Sequence, residues 1–313
     1  MKIAITGGAG FIGSHLVDYY LKNGSQVAVI DNLITGKHEN IALHLNNDAM
    51  EFIEQDVCTV DDIDGELDHI LHFACPASPF DYLKYPLETL RVMSIGTQKM
   101  LELAKKKDAK FFLASTSEVY GDPDIHPQKE EYSGNVSTVS PRAVYDEGKR
   151  FAEVLTMTYH REFDVKIGII RIFNTYGERM RAGDGRVVPS FISEALKNNP
   201  LPIFGDGKQT RSFCYISDMV DAISKAVELD YPGPINIGNP AEYTILELAE
   251  KVKKLCNSTS EYEFFPLPDC DPKKRRPDIS KAKQLLRWQP LIDLDSGLKK
   301  LIDWFRRHDD RMA

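Results

Sequence analysis

The chain contains no Cys-x-x-Cys pair, and its five cysteines (Cys58, Cys75, Cys214, Cys256 and Cys270) are scattered and odd in number. That pattern excludes a thiolate metal cluster of the usual spacing and a disulfide framework, and it suits a reducing compartment. No metal site is expected. No apolar run approaches the roughly 18 residues of a membrane span. A strand-like KIAIT follows Met1 at once, which leaves no room for a signal peptide, so a cytoplasmic location is expected. Basic charge is also in deficit: the net charge is −8, which argues against nucleic acid as a partner. An anionic small ligand answers to the local field and stays admissible. The one basic run, Lys273-Lys274-Arg275-Arg276, reads by itself as a solvated face. Low-complexity tracts and internal repeats are absent.

What is present, over 313 residues, is an alternation. Short apolar runs at 2–6, 26–30, 51–54, 68–73, 110–115 and 166–172 are separated by helical patterns, notably 11–23, 87–107 and 142–162. Strands alternating with helices of this length predict a parallel sheet covered on both faces, because parallel strands need a crossover. The alternation loosens after about 174, where Gly and Pro become frequent. The expected division is a dinucleotide-binding domain over 1–173, to which 214–238 returns, and a smaller mixed α/β lobe formed by 174–213 and 239–313. A last helix at 295–307 carries Trp304 on its apolar stripe.

The first strand runs into Gly7-Gly-Ala-Gly10-Phe11-Ile12-Gly13, which then opens the first helix. Glycines there permit a tight turn and let backbone N–H groups approach a pyrophosphate at a helix N-terminus. Such turns are common alone; the strand-to-helix setting makes this one a nucleotide loop and the fold Rossmann-type, doubly wound α/β. Asp31 ends the second strand 18 residues after Gly13, where a carboxylate accepts both ribose hydroxyls and repels a 2′-phosphate. NAD is therefore expected rather than NADP. A plain strand-end turn with Asn32 is the alternative. Asp56 and Val57, after the third strand, are candidates for the adenine, and Asn32, Gly36, Phe73 and Ala74 complete the expected cofactor set.

Tyr145 and Lys149 stand four apart in VYDEGKR and share one helix face. Such pairs are frequent in helices. Beside a nucleotide loop, an ammonium next to a phenol is expected to lower the phenol's pKa toward the working range, making it a general base.

These residues, with RIFNTYG at 171–177 and QTRSFCYISD at 209–218, resemble the extended short-chain dehydrogenase/reductase family of nucleotide-sugar enzymes from residue 2 to about 306. The resemblance is strongest to the branch that decarboxylates nucleotide-linked uronic acids, through STSEVYGDPDIHPQ at 115–128, DGRVV at 184–188 and RRPDISKA at 275–282. It implies NAD-dependent decarboxylation of UDP-glucuronate to UDP-xylose, with NAD held tightly and regenerated each turnover. The 4-epimerases and 4,6-dehydratases of the family are the alternative. Ser117-Glu118 stands where a dehydratase has Asp-Glu, and an epimerase lacks the glutamate. By the same resemblance Thr116 and Ser117 meet the C4 oxygen, Glu118 organises the ring or a water, and Arg275 belongs to the reacting end. Tyr82, Asn174, Arg186, Phe204 and Arg211 are expected to hold the nucleotide sugar. A homodimer through 87–107 and 142–162 is implied as well. Three positions depart from the family pattern: Ser133 replaces a tryptophan, Glu178 a proline, and Cys75 a serine.

Overall fold

The computed structural model describes residues 1–183, 185–267 and 274–308. Asp184, Cys270 and Lys273 lie outside the described residues. Seven parallel strands form the central sheet: β1 (Lys2–Thr6), β2 (Gln26–Asp31), β3 (Met50–Glu54), β4 (His69–His72), β5 (Lys110–Thr116), β6 (Ile167–Ile172) and β7 (Pro234–Ile237). Their order is β7-β6-β5-β4-β1-β2-β3. The return strand expected within 214–238 is β7, paired with β6. Three smaller sheets, built from strands between Thr175 and Arg275, lie outside it.

The central strands of the sheet are apolar throughout because both faces are covered. Alternate residues serve opposite sides: Ile3, Ile5, Val27 and Val29 join one core, Ala4, Ala28 and Ile30 the other. Helices α1 (Phe11–Lys22) and the later Ile216–Glu228 cover the first face through Leu16, Val17, Met219 and Ile223. Helices α2 (Thr97–Lys107) and α3 (Ala143–Phe163) cover the second through Met100, Leu101, Tyr145 and Ala152. Helix Leu294–Arg307 starts at the Asp293 cap and packs Trp304 against the first core.

The 87–107 pattern is less uniform than its periodicity suggests. An α segment (Pro86–Arg91) passes through a π turn (Val92–Gly96) before α2 begins. Beside that turn, the buried His72 links Thr6 Oγ1 (2.8 Å) on β1 to Thr97 Oγ1 (3.2 Å). Burial pushes the imidazole pKa down to about 3, so the bridge is made by a neutral ring.

Strand order reverses between β1 and β4, which opens a crevice beyond their carboxyl ends. Gly7 occupies it with φ +70°, a conformation that favours glycine, and a Cβ there would lie 2.7 Å from Ala74 N. At Gly13 a Cβ would fall inside the Gly7 carbonyl. Gly13→Ala is therefore expected to cost about 2 kcal/mol by overpacking. Thermal unfolding should show a fall of several degrees in Tm, with loss of dinucleotide affinity.

Candidate active site

One cleft of about 830 Å³ runs over the carboxyl ends of β1, β2, β4, β5 and β6, a size suited to extended small ligands. Every residue expected at the site from sequence lines it except Gly36. Gly36 instead packs on the Asp31 carboxylate, where a Cβ would sit 2.9 Å from both oxygens.

At the nucleotide end, α1 begins after Gly10 with no side-chain cap, so its first N–H groups face the crevice. The Asp31 carboxylate accepts from Ala9 N (3.0 Å) and Leu33 N (2.9 Å), which fixes both oxygens and leaves further lone pairs. Burial raises its pKa. Asn32 reaches Asp56 (3.4 Å), and Asp56 accepts from Cys58 N (2.8 Å), so these side chains tie the ends of β2 and β3 together beside Val57. An open helix N-terminus for a pyrophosphate and a fixed carboxylate for a ribose fit NAD.

At the other end, β5 stops at Thr116 and a 3₁₀ turn (Ser117–Tyr120) follows, with Thr116 Oγ1 accepting from Glu118 N (3.2 Å). The Glu118 carboxylate is held by two guanidiniums. Arg142, at the start of α3, donates across 2.5 Å to one oxygen, and Arg275 donates to the other. Arg275 also donates to Gly121 O (3.1 Å) and is 3% exposed. The solvated reading of the basic run thus fails at Arg275. Burial lowers its pKa to about 10, still far above neutrality.

Tyr145 lies beside this group. Its phenol hydrogen-bonds to Thr116, and Tyr82 stacks on its ring at 5.0 Å and 16°. Lys149 Nζ is 6.0 Å from that ring's centre and donates to Ala114 O (2.7 Å). The expected downward pull of the ammonium on the phenol is not what the protein itself produces. Burial drives Tyr145 well above its ordinary pKa, with Cys75 adding to the rise, and burial also lowers Lys149. Both groups are taken out of water, and the ammonium spends its contact on a backbone carbonyl.

The presumed substrate residues are spread along the remaining cleft. Arg211 (9% exposed) and Phe204 project from the strands Thr210–Ser212 and Leu201–Phe204, and Asn174 follows β6. Arg186 stands over the Phe11 ring of the nucleotide loop at 5.7 Å. Sequence reasoning missed Arg142, although it precedes Tyr145 by three and so shares its helix face. It also missed Arg179 and Arg181. These line the cleft and pair with Asp18 (2.5 Å) and Asp81 respectively. Their signal was a cluster of like charge in a glycine-containing loop. Glu178, the residue in the place of a proline, accepts from Tyr215 Oη (2.5 Å).

A dinucleotide cradle joined to a Thr-Tyr-Lys group in one cleft defines a short-chain-dehydrogenase-type enzyme of the doubly wound class. The comparisons narrow this. The family model described as "NAD dependent epimerase/dehydratase family" matches residues 3–238, and the chain belongs to that family. UDP-glucuronic acid decarboxylase 4 of Arabidopsis thaliana is 50% identical over 307 residues, covering 98% of this chain and 69% of that protein. UDP-glucuronic acid decarboxylase 1 of Danio rerio is 47% identical over 312 residues, covering 100% and 74%. Among solved structures, UDP-glucuronic acid 4-epimerase from Bacillus cereus, in complex with UDP-glucuronic acid and NAD, superposes with a TM-score of 0.88 at 32% identity, covering 98% and 99%. dTDP-glucose 4,6-dehydratase from Streptomyces venezuelae, with NAD bound, gives 0.90 at 25%, covering 99% and 98%.

Next to Tyr145, the Asp146 carboxyl is buried, and burial raises its pKa to about 6. A carboxyl raised in the folded state favours folding when protonated. Its contribution is complete below about pH 4 and lost as pH rises through about 6. Asp146→Asn should therefore raise Tm above pH 6 and leave it unchanged near pH 4, read by thermal denaturation across that range.

Proposed function

We propose that the chain decarboxylates UDP-glucuronate to UDP-xylose with NAD that is regenerated in each turnover. The observation that carries this is the Glu118–Arg275 pair beside Ser117, Thr116 and Tyr145, in a chain about half identical to UDP-glucuronic acid decarboxylases. Bound NAD supplies a hydride acceptor at C4 of the sugar, a positive charge near the phenol while oxidised, and the same hydride on return. Gly7, Gly10 and Gly13 leave room for the pyrophosphate, and Asp31 takes the ribose.

Tyr145 accepts the C4 hydroxyl proton, with Thr116 orienting the phenol and Lys149 supplying nearby positive charge. The resulting β-keto acid loses CO2 because its electrons flow into the new carbonyl. Glu118, fixed by Arg142 and Arg275, orients the ring or a water for the proton that C5 regains. Ser117 cannot serve as the strong acid a departing 6-hydroxyl needs, which disfavours a dehydratase. Tyr82, Asn174, Arg186, Phe204 and Arg211 are assigned to the nucleotide sugar. The lobe formed by 174–213 and 239–313 is assigned to hold it over the dinucleotide domain.

A second reading, 4-epimerisation, has the Bacillus cereus neighbour in its favour. The two separate at the keto acid. Incubation with UDP-glucuronate should release CO2 and a UDP-pentose with no net NADH, whereas a C4-inverted UDP-uronate without CO2 would establish the epimerase. Tyr145→Phe should lower kcat by about 10²–10⁴-fold, the usual worth of a positioned base, measured on protein with the same bound NAD.

The proposal includes a homodimer and a cytoplasmic location. Leu87 (70%), Phe151 (49%) and Val154 (63%) are exposed on the first α segment and α3, whereas Met93, Met100 and Leu101, also within 87–107, join the buried core. A second copy would cover the exposed set. Light scattering should give twice the chain mass, and Phe151→Asp with Val154→Asp should give a monomer. The location rests on the four unpaired cysteines among the described residues; no helix there is long and apolar enough to cross a membrane.

A further inference from the structure

The tail of the 115–128 motif meets Arg276 and Asp278 of the 275–282 motif outside the residues that line the cleft. Gln128 is fully buried but does not line the site. Its backbone N donates to Arg276 O (2.9 Å), and its side-chain Oε1 accepts from Arg276 N (2.8 Å). Its backbone O accepts from Asp278 N (2.8 Å) and Asn236 Nδ2 (3.1 Å). The carboxamide nitrogen donates to Ile125 O (2.8 Å) and lies 3.4 Å from His126 Nδ1, which fixes the orientation of the side chain. Gln128 therefore grips both backbone polar groups of Arg276, the residue that follows Arg275. On its other flank, Arg275 pairs with Arg211 in a parallel ladder.

We propose that Gln128 is a positioning residue for Arg275, acting through the Arg276 backbone to deliver the guanidinium to Glu118 and Gly121 O. The proposal rests on the reading of Arg275 as part of the reacting end. The chemistry favours a carboxamide at this position: one acceptor for Arg276 N and one donor for Ile125 O, with no buried charge. Leucine fills similar space and supplies neither. A short polar residue would leave the Arg276 N–H without its partner.

The test is a double-mutant cycle on NAD-loaded protein turning over UDP-glucuronate. Gln128→Leu is expected to lower kcat by about tenfold with KM changed less than about threefold, the signature of an interaction used in the reaction rather than in binding. In an Arg275→Ala background the same change should cost less than about twofold, because its target is gone. Gln128→Glu, which keeps the acceptor but sets a buried carboxyl group against Ile125 O, should not restore the turnover. Equal losses in both backgrounds, or a loss confined to KM, would overturn the proposal. If Gln128→Leu does not fold, Gln128→Asn, one methylene short, carries the same cycle. Unchanged turnover in Arg275→Ala alone would overturn the reading of Arg275 and the proposal together. Failure of the Gln128 variants against an impaired Arg275→Ala would overturn only the second.

Discussion

The site depends on one carboxylate shared by two guanidiniums. Glu118 stands where β5 gives way to a 3₁₀ turn, Arg142 where α3 begins, and Arg275 on a strand far along the chain. Three separately folded pieces thus converge on two oxygen atoms. Buried ion pairs are poor sources of net stability, since desolvation offsets much of the attraction. Removing one member is costly because the others are left as uncompensated charges. Such a cluster is better understood as a means of fixing geometry. Arg142 also lies 4.0 Å from the Asp146 carboxyl, so the two guanidiniums face two carboxyl groups in this cluster.

Much of the fold was legible because local pattern and global demand agree. Ile3 and Ile5 against Ala4 is the period of a strand covered on both sides, and Gly7, Gly10 and Gly13 sit where backbone crowding forbids a side chain. The apolar character of 214–238 pointed to a return to the sheet, and β7 within it pairs with β6. Less legible were features decided by tertiary contact. The basic run gave no sign by itself that Arg275 is buried while Lys274 is exposed; that depends on which flank meets Gln128 and the Thr210–Ser212 strand. Arg142 was within reach of helix geometry, yet its partner Glu118 lies 24 positions earlier.

The phenol shows where sequence reasoning about charge goes astray. Spacing correctly puts Tyr145 and Lys149 on one helix face, but it says nothing of how much water either retains. Sequestered together, the two groups shift in the direction that disfavours each charge. Burial, rather than the spacing of the pair, therefore decides the direction in which each group moves.

The π turn at Val92–Gly96 has its own effect on which side chains of this segment face outward. A wide turn accommodates one surplus residue, and one residue rotates everything beyond it by about 100° around the axis. Leu87 and Leu90 before the turn can therefore look outward while Met100 and Leu101 after it look inward. A single helical rod in this way serves two surfaces that an unbroken α-helix would have had to choose between.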